Sequence, residues 1–376
     1  MSITDRARRQ GVRVARGLAH RGRAGGEEVA EAGRLVRRDA GLYGVPAPRI
    51  ARRAAWLRRA HGFSLGEAHR LGLLDPAAPP EAPGRYVSKR RLLAVQARLN
   101  PEELSHLTEE KTAFYRLAEG AGLPVPATHA VLCHSGGGAS GAGRPLQGRR
   151  AWIDWLERES PEEFVVKPAK GYHGLNVRLV ERRGRRLRLR GGEELSAAEL
   201  CDRLLADRRF HVNLVQERLR NHPEMPGDPQ VVSTIRVMTL VGGDGGVEVL
   251  GCAMRIALGR TDVDNIRSGA TGNLLADVDA AAGTVGGVCG IDGWGRFAPA
   301  ARDHAPAPGT RLPSWDEAIA LARRASVAFL PMRAPAWDIA VTLSGPVVIE
   351  ANKWWDPTCP LGDGPGMLAA MEAAAG

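Results

Sequence analysis

The chain has 376 residues, of which 44% are hydrophobic and 25% are charged, an ordinary globular composition that excludes a fibrous or largely disordered protein. Its length suits two or three domains. The net charge of +10 arises within residues 1–60, which hold 15 arginines and five acids, while the rest of the chain is balanced. A broad basic surface for nucleic acid over the main body is therefore excluded.

The cysteines and apolar runs limit the cellular context. Five cysteines are widely separated and form no C-x-x-C pair, which argues against a disulfide framework or a structural zinc site. The amino-terminal residues have no signal-peptide apolar core, and no apolar run is long enough to span a bilayer. We therefore expect a cytoplasmic protein with no transmembrane segment and no specific nucleic-acid partner.

The first 84 residues form a predicted basic helical region followed by a linker. Apolar residues recur in residues 1–60 at a loose helical spacing among arginines and alanines, which predicts one or two basic helices. They form either a solvated arm on the body or an arm that binds a membrane surface or nucleic acid. The proline-rich segment Pro76–Pro83 predicts the linker.

The remaining residues predict an α+β protein with mostly antiparallel strands. A helix is predicted from Lys111 to Ala121, where Gly122 ends it, and the glycine-rich segment Ser135–Gly143 is interpreted as a flexible surface loop. Further helices are predicted at Trp152–Glu159 and Glu194–Asp207. Strands are predicted at Ala130–Cys133, Glu163–Lys167, Leu187–Leu189, Asn213–Gln216, Thr234–Val241, Val247–Ile256 and Val347–Glu350.

A first candidate for chemistry is a strand that delivers a lysine to a glycine-containing loop. Lys167 ends the apolar segment that begins at Phe164, and Gly171 and Gly174 follow it. Glycines let backbone N–H groups approach an anion, while the lysine adds a fixed charge, so the segment suits phosphate binding. The alternative is an ordinary hairpin with a surface lysine.

A second candidate is a group of oxygen ligands on two strand-like segments. Glu350 and Asn352 project from the same face of one strand because side chains alternate, and Asp338 precedes them on a neighbouring segment. Magnesium prefers such oxygen ligands. The alternative is a pair of polar residues that end a core strand.

Two further segments carry polar residues on apolar strands. The strand that ends at Gln216 and Glu217 suits a hinge whose backbone binds a purine edge. Arg236 and Arg255 lie within apolar strands; facing inward, they would clamp a carboxylate or phosphate, and facing outward they would be solvated. His222 is a base, a metal ligand or a local hydrogen-bonding residue.

The order of these residues resembles the ATP-grasp superfamily. The match runs from Lys111 through Lys167, Gln216, Arg255 and Asp338 to Glu350-x-Asn352. The chain is most similar to the branch associated with sugar transfer, which it resembles at Asn221–Glu224, Ser233–Arg236, Ser268–Asn273, Trp337–Ala340 and Gly345–Asn352.

The resemblance implies an ATP-grasp fold in which two α+β lobes clamp ATP after the basic helical region. The smaller lobe would cover residues 85–215 and the larger lobe residues 216–376. The implied ATP-binding residues are Lys111, Lys167, Gly171, Gly174, Gln216, Glu217 and Leu219. The implied magnesium ligands are Asp338, Glu350 and Asn352, and the implied catalytic residues are Arg236 and Arg255.

The implied activity is a magnesium-dependent ligase that uses ATP to activate a carboxylate as an acyl phosphate before an amine attacks. The carboxylate and amine would be small molecules or peptides, as in peptide, natural-product or cell-surface polymer tailoring. Two alternatives stay open: a phosphotransferase acting on a hydroxyl group, and a non-catalytic basic interaction protein. The predicted substrate pocket comprises His222, Asn265, Lys353, Trp354 and Trp355, with the two indoles as an apolar wall.

Overall fold

The computed structural model describes residues 30–171, 174–301, 303, 305–356 and 363–376. The chain divides between Arg90 and Arg91 into two compact units. The predicted boundaries after residues 84 and 215 stay predictions. Of the predicted basic helices, residues 1–29 lie outside the described part of the chain, while helices α1 (residues 30–43) and α2 (Ala47–His61) are present.

Short-range signals set the helix ends in the first unit. Gly62 adopts a left-handed conformation with a φ of 80° and ends α2 by donating its N–H to Arg58. Ser64 and Glu67 then form a reciprocal capping box that starts α3 (Leu65–Arg70). The unit has its own apolar core, with these fully buried side chains: Ile50, Leu57, Phe63, Ala68, Leu73 and Leu74.

The described residues of the second unit form two antiparallel sheets of seven strands each. Before the first sheet come α4 (Lys89–Leu99), which contains the division point, α5 (His106–Glu109) and α6 (Lys111–Gly120). The first sheet has the order β2-β1-β7-β3-β4-β5-β6. Its strands are β1 (Thr128–Cys133), β2 (Gly138–Ser140), β3 (Glu163–Pro168), β4 (Arg178–Arg183), β5 (Arg186–Leu189), β6 (Glu194–Ser196) and β7 (Val212–Glu217).

One face of the first sheet is apolar and packs against α7 (Gly148–Arg158) and α8 (Ala197–Ala206). Phe164 and Val166 project from this face of β3 and are fully buried with Trp152 of α7. Because side chains alternate along a strand, Glu163, Val165 and Lys167 project from the opposite face. The polar groups of β3 therefore face away from this core.

The second sheet has the order β12-β11-β10-β9-β8-β13-β14. Its core contains Trp315, Phe329 and Trp337, together with Phe114 and Tyr115 of α6. Its strands are β8 (Thr234–Val241), β9 (Val247–Ile256), β10 (Leu274–Val278), β11 (Val285–Ile291), β12 (Phe297–Pro299), β13 (Ala336–Thr342) and β14 (Gly345–Asn352). The remaining helices are α9 (Trp315–Ala328) and α10 (Gly364–Ala375).

The prediction of a loop at Ser135–Gly143 is wrong. This segment contains β2, which pairs with β1 in a hairpin. A Cβ at Gly138 would lie 2.5 Å from the carbonyl oxygen of Val131, and one at Gly141 would lie 2.3 Å from that of Thr128. The glycines therefore permit close strand approach. The predicted helix Glu194–Asp207 also begins later than expected, since its first three residues form β6.

Within the part of the chain that the structure describes, no helix combines the length and apolar character needed to cross a membrane.

Candidate active site

Asp338 lies at the centre of a polar cluster formed by four neighbouring strands, β9, β8, β13 and β14. It faces Arg236 across the β13–β8 pair and Glu350 across the β13–β14 pair. Arg236 donates from Nε and Nη2 to the two carboxylate oxygens, each at 2.8 Å, and Arg255 donates from Nη1 at 3.0 Å. The amide of Asn352 completes the group with a hydrogen bond of 3.3 Å to Asp338.

Two arginines keep this buried carboxylate ionised. Burial acts to raise the pKa of Asp338, but the charges of Arg236 and Arg255, with hydrogen bonds from Arg236 and Asn352, lower it to about 2. Burial likewise acts against the charge of Arg255, yet the neighbouring carboxylates, Asp338 first, raise its pKa. The cluster is therefore charged at neutral pH.

The arginines keep donors free for a ligand. Among the described residues, no hydrogen bond uses Nη1 of Arg236 or Nε and Nη2 of Arg255. Both side chains are 16% exposed, so these donors face accessible space. Guanidinium groups with free donors bind phosphate and carboxylate oxygens, so these two side chains suit an anionic ligand.

Two lysines near the end of β3 are connected with β14, the edge strand of this cluster, one directly and one through a tyrosine. Lys111, at the start of α6, forms an ion pair of 3.0 Å with Glu350 and donates to the carbonyl oxygen of Gly171 at 3.3 Å. Lys167 donates at 2.7 Å to the hydroxyl of Tyr115, which in turn donates to the carbonyl oxygen of Ile349 on β14. The predicted lysines and the predicted carboxylates are thus in one place.

Lys167 is buried, and its surroundings weaken its charge. Burial and then the nearby Lys111 ammonium lower the pKa of Lys167 to about 7, against the opposing effect of Glu350. Burial and the Glu350 carboxylate raise the pKa of Tyr115, so its hydroxyl stays protonated. An anion that entered the site would favour the charged form of Lys167.

The predicted hinge lies at the end of β7, which neighbours β3 in the sheet. It carries a hydrogen-bond acceptor that has no partner among the described residues. Gln216 is buried and donates from Nε2 to Thr128 and Pro126, while its Oε1 is buried without a hydrogen-bond partner among the described residues. Glu217 is exposed, and its carboxylate accepts the N–H of Ala127. Leu219 is half-buried just beyond the strand end.

Part of the predicted glycine loop lies outside the described residues, namely positions 172 and 173. Gly171 precedes the gap and holds Lys111 through its carbonyl oxygen. Gly174 follows it with a φ of 64°, and a Cβ there would lie 2.8 Å from Val263. Its carbonyl oxygen accepts a hydrogen bond of 2.5 Å from Arg267. The loop therefore contacts the segment between β9 and β10.

The donor set of Asp338, Glu350 and Asn352 fits magnesium in chemical type, because all three supply oxygen. The side chain of Glu350 is 32% exposed and lies opposite Asp338 in register. Both oxygens of Asp338 are already engaged by arginine. Magnesium contact through Oδ2, which accepts three hydrogen bonds, requires an exchange with these donors, whereas Oδ1 accepts one hydrogen bond and keeps a lone pair for a metal ion.

The prediction that Trp355 forms part of a pocket wall is wrong, while the role of the half-buried Trp354 stays a prediction. Trp355 is 2% exposed and donates to the carbonyl oxygen of Ala334, so it belongs to the core. Lys353 is also buried; it binds Glu102 and Ser105, each at 2.6 Å, and lies over the ring of Trp354. The side chain of Lys353 is therefore held by the segment before α5.

The other two predicted pocket residues make local hydrogen bonds. His222 accepts the N–H of Glu224 at its Nδ1, and its own N–H binds Val341. Asn265 accepts the N–H of Arg267. Among the described residues, no hydrogen bond joins either side chain to Asp338 or Glu350, and their role in substrate binding stays a prediction.

The sequence interpretation missed Tyr115 and Asp264. Tyr115 lies four residues after Lys111 on α6, a spacing that places both on one helix face, and this was the available signal. Asp264 is buried and accepts from the N–H and hydroxyl of Thr234 beside Arg255. It lies in a connecting segment, where no periodic pattern marks a buried acid.

Known proteins resemble the second unit. The model of the sugar-transfer associated ATP-grasp family matches residues 91–374. A RimK domain ATP-grasp protein from Sphaerobacter thermophilus has 17% identity and a TM-score of 0.36, covering 72% of this chain and 69% of its own. The VanG D-Ala:D-Ser ligase from Enterococcus faecalis has 12% identity and a TM-score of 0.41, covering 73% and 63%.

Biotin carboxylase from Campylobacter jejuni has 15% identity and a TM-score of 0.39, covering 73% of this chain and 47% of its own. The chain thus spans less than two thirds of this enzyme and of VanG. No curated protein matches the chain. The family match extends over most of the chain and confirms the resemblance seen in the sequence. The two antiparallel sheets form an ATP-grasp fold, and the chain belongs to the sugar-transfer associated ATP-grasp family.

Proposed function

We propose that this protein is an ATP- and magnesium-dependent ligase that activates a carboxylate as an acyl phosphate and joins it to an amine, with release of ADP and phosphate. The observation that carries the proposal is the ion pair of 3.0 Å between Lys111 and Glu350. It joins a cation beside the glycine loop to a carboxylate of the second sheet, so the residues proposed to bind phosphate and those proposed to bind magnesium lie together.

The adenine end of ATP fits the hinge. The 6-amino group of adenine is a donor, and Gln216 Oε1 is a buried acceptor without a partner among the described residues. Leaving a buried polar atom unpaired costs about 1–3 kcal/mol. Adenine bound at this position would satisfy the atom, and the triphosphate would then extend along β3 toward Lys167.

The cations of the site would hold the phosphates. Lys111 and Lys167 would bind the triphosphate, and the free donors of Arg236 and Arg255 would bind the transferred phosphoryl group and the carboxylate that receives it. Glu350 and Asn352 would hold magnesium, with Asp338 joining them through Oδ1. Magnesium would supply charge neutralisation on the terminal phosphates.

The reaction follows from what a carboxylate needs in order to react with an amine. A carboxylate oxygen attacks the γ-phosphorus, the bond from that phosphorus to the β-γ bridging oxygen breaks, and ADP leaves. The amine then attacks the acyl carbon, and phosphate leaves with the oxygen that came from the carboxylate. The substrates would be a small-molecule or peptide carboxylate and an amine.

Replacing Gln216 with leucine tests the nucleotide assignment without requiring knowledge of the substrates. Gln216→Leu should weaken ATP binding roughly tenfold, because adenine loses its acceptor, and should change the affinity for ITP much less, because inosine lacks the 6-amino group. Isothermal titration calorimetry with each nucleotide measures both affinities. The exposed Gln147→Leu serves as the control. Equal weakening for ATP and ITP, or no weakening, would place adenine elsewhere.

A further inference from the structure

An arginine-lined cavity includes Arg218, the residue between the hinge positions Glu217 and Leu219, but none of the lysines, arginines or acids of the candidate active site. It has a volume of about 500 Å³, which is within the range of small-molecule sites. It lies between strands β4 and β5 of the first sheet and the loops that follow β7 and β9. Its charged and polar lining consists of Glu181, Arg183, Arg188, Arg190, Arg218, Gln230 and Arg260.

Only some of these arginines have their charge matched by protein carboxylates. Arg190 lies 3.5 Å from Asp262 and 4.0 Å from Asp228, and Arg183 pairs with Glu181 at 3.2 Å. The side chains of Arg188 and Arg260 have no hydrogen bond or ion pair with any residue that the structure describes. Two guanidinium groups at one cavity are therefore free to bind a ligand.

Arg218 gives the cavity a buried donor. The chain holds 47 arginines, so exposed ones carry little information, but the side chain of Arg218 is only 3% exposed. Its Nη1 pairs with Glu163 at 3.3 Å and its Nη2 donates to Gln230 at 3.0 Å. Its Nε is buried with no partner among the described residues, which is costly unless an acceptor satisfies it.

The strand register places this cavity away from the proposed phosphate end of the nucleotide site. Glu163 pairs with Glu181, and Glu181 pairs with Arg188, so these residues form one row across the sheet. Lys167 is four residues further along β3, which is about 13 Å at the usual rise per residue. One phosphate group cannot contact both Lys167 and Arg188.

We propose that this cavity is a second anion site, which binds a dianionic head group through Arg188 and Arg260. The pair of unmatched guanidinium groups calls for two negative charges, and guanidinium groups bind phosphate and carboxylate oxygens in the same bidentate manner. A phosphate monoester and a dicarboxylate both meet this requirement. The site does not depend on the ligase chemistry proposed above.

Titration of the full-length protein with inorganic phosphate and, separately, with glutarate at low ionic strength tests the site. We expect saturable binding of at least one probe, weakened at least tenfold in Arg188→Gln/Arg260→Gln. Arg186→Gln removes the same charge from β5 at a position that does not line the cavity and should bind as the wild type does. Lys167→Ala should lose ATP affinity and keep the probe.

The outcomes distinguish phosphate monoesters from dicarboxylates as ligands, and the cavity from the nucleotide site as the place of binding. Tighter phosphate binding assigns the cavity to phosphate monoesters, and tighter glutarate binding assigns it to dicarboxylates. Absence of saturable binding of both probes, or equal weakening in Arg186→Gln, overturns the proposal, as does binding that only Lys167→Ala abolishes. If the double variant does not fold, the exposed Arg260→Gln alone should weaken binding, and unchanged binding in a folded Arg260→Gln rejects the site.

Discussion

Lys167 shows how burial sets the chemistry of a single residue. Its pKa falls from an ordinary 10.5 to about 7 because the ammonium loses water and lies near Lys111. Between these two pH values the unfolded chain holds a proton that the folded chain has released, so the free energy of unfolding rises with pH across this window. A bound triphosphate would instead stabilise the protonated lysine.

The affinity for ATP should therefore fall as the pH rises from 7 to 9. Only protonated Lys167 attracts the triphosphate, and loss of its proton would weaken binding by up to about tenfold per pH unit. Calorimetric titration with ATP across this range measures the trend. In Lys167→Arg the side chain stays charged, so its affinity should change less. Parallel curves for the two proteins would remove Lys167 from the phosphate site.

The sequence did not predict which residues on different strands contact one another. The positions of Arg236, Asp338 and Glu350 on strands were predicted from apolar patterns, and the structure places all three on strands. That Arg236 would hold Asp338 with two hydrogen bonds depends on the β8–β13 register, which a local pattern does not specify. The sequence thus predicted which residues belong to the cluster, but not their contacts.

At the level of elements, apolar strands were predictable and small or glycine-rich strands were not. Strands β8 and β9 are long apolar runs, and β8 is largely buried, so their pattern is strong. Strand β2 has the sequence Gly-Ala-Ser, which has low β-strand propensity. It is a strand because it pairs with β1. Trp355 was interpreted as a binding residue because its burial cannot be seen in the sequence. That burial depends on contacts with α4 and with the segment before β13.

Gly174 links the glycine loop to the second sheet. Gly174→Ala should destabilise the loop by about 1–2 kcal/mol through its left-handed backbone alone, and the new methyl group would also clash with Val263. We expect weaker ATP binding, measured by calorimetry. Gly184→Ala is a matched control, because Gly184 has a φ of 62° and open space around its Cβ position.

A second variant separates the clash from the backbone strain. Gly174→Ala/Val263→Ala should recover part of the lost ATP affinity, since the shorter side chain at position 263 makes room for the methyl group. Full wild-type binding by Gly174→Ala, or an equal loss in Gly184→Ala, would show that this contact does not shape the nucleotide site.

At the level of the whole molecule, the excess charge and the proposed chemistry belong to different units. Every proposed nucleotide contact lies at or beyond Lys111, so removal of the first unit should leave ATP affinity unchanged. Its core includes Phe63, Leu73 and Leu74, and a deletion of residues 1–60 would expose them. Deletion of residues 1–88 removes these core residues as well. Calorimetry then measures ATP binding by the truncated protein, and a folded truncation that no longer binds ATP would disprove the separation.

The fate of the carboxylate oxygen tests the central claim most directly. Once a screen for ADP release has identified an acid, that acid is supplied with isotopically labelled carboxylate oxygens, and the products are analysed by mass spectrometry. Attack of the carboxylate on the γ-phosphorus requires that one labelled oxygen leaves with the phosphate. The account predicts ADP and labelled phosphate. Formation of AMP and pyrophosphate, or of ADP with a stable phosphoester and no labelled phosphate, would contradict it.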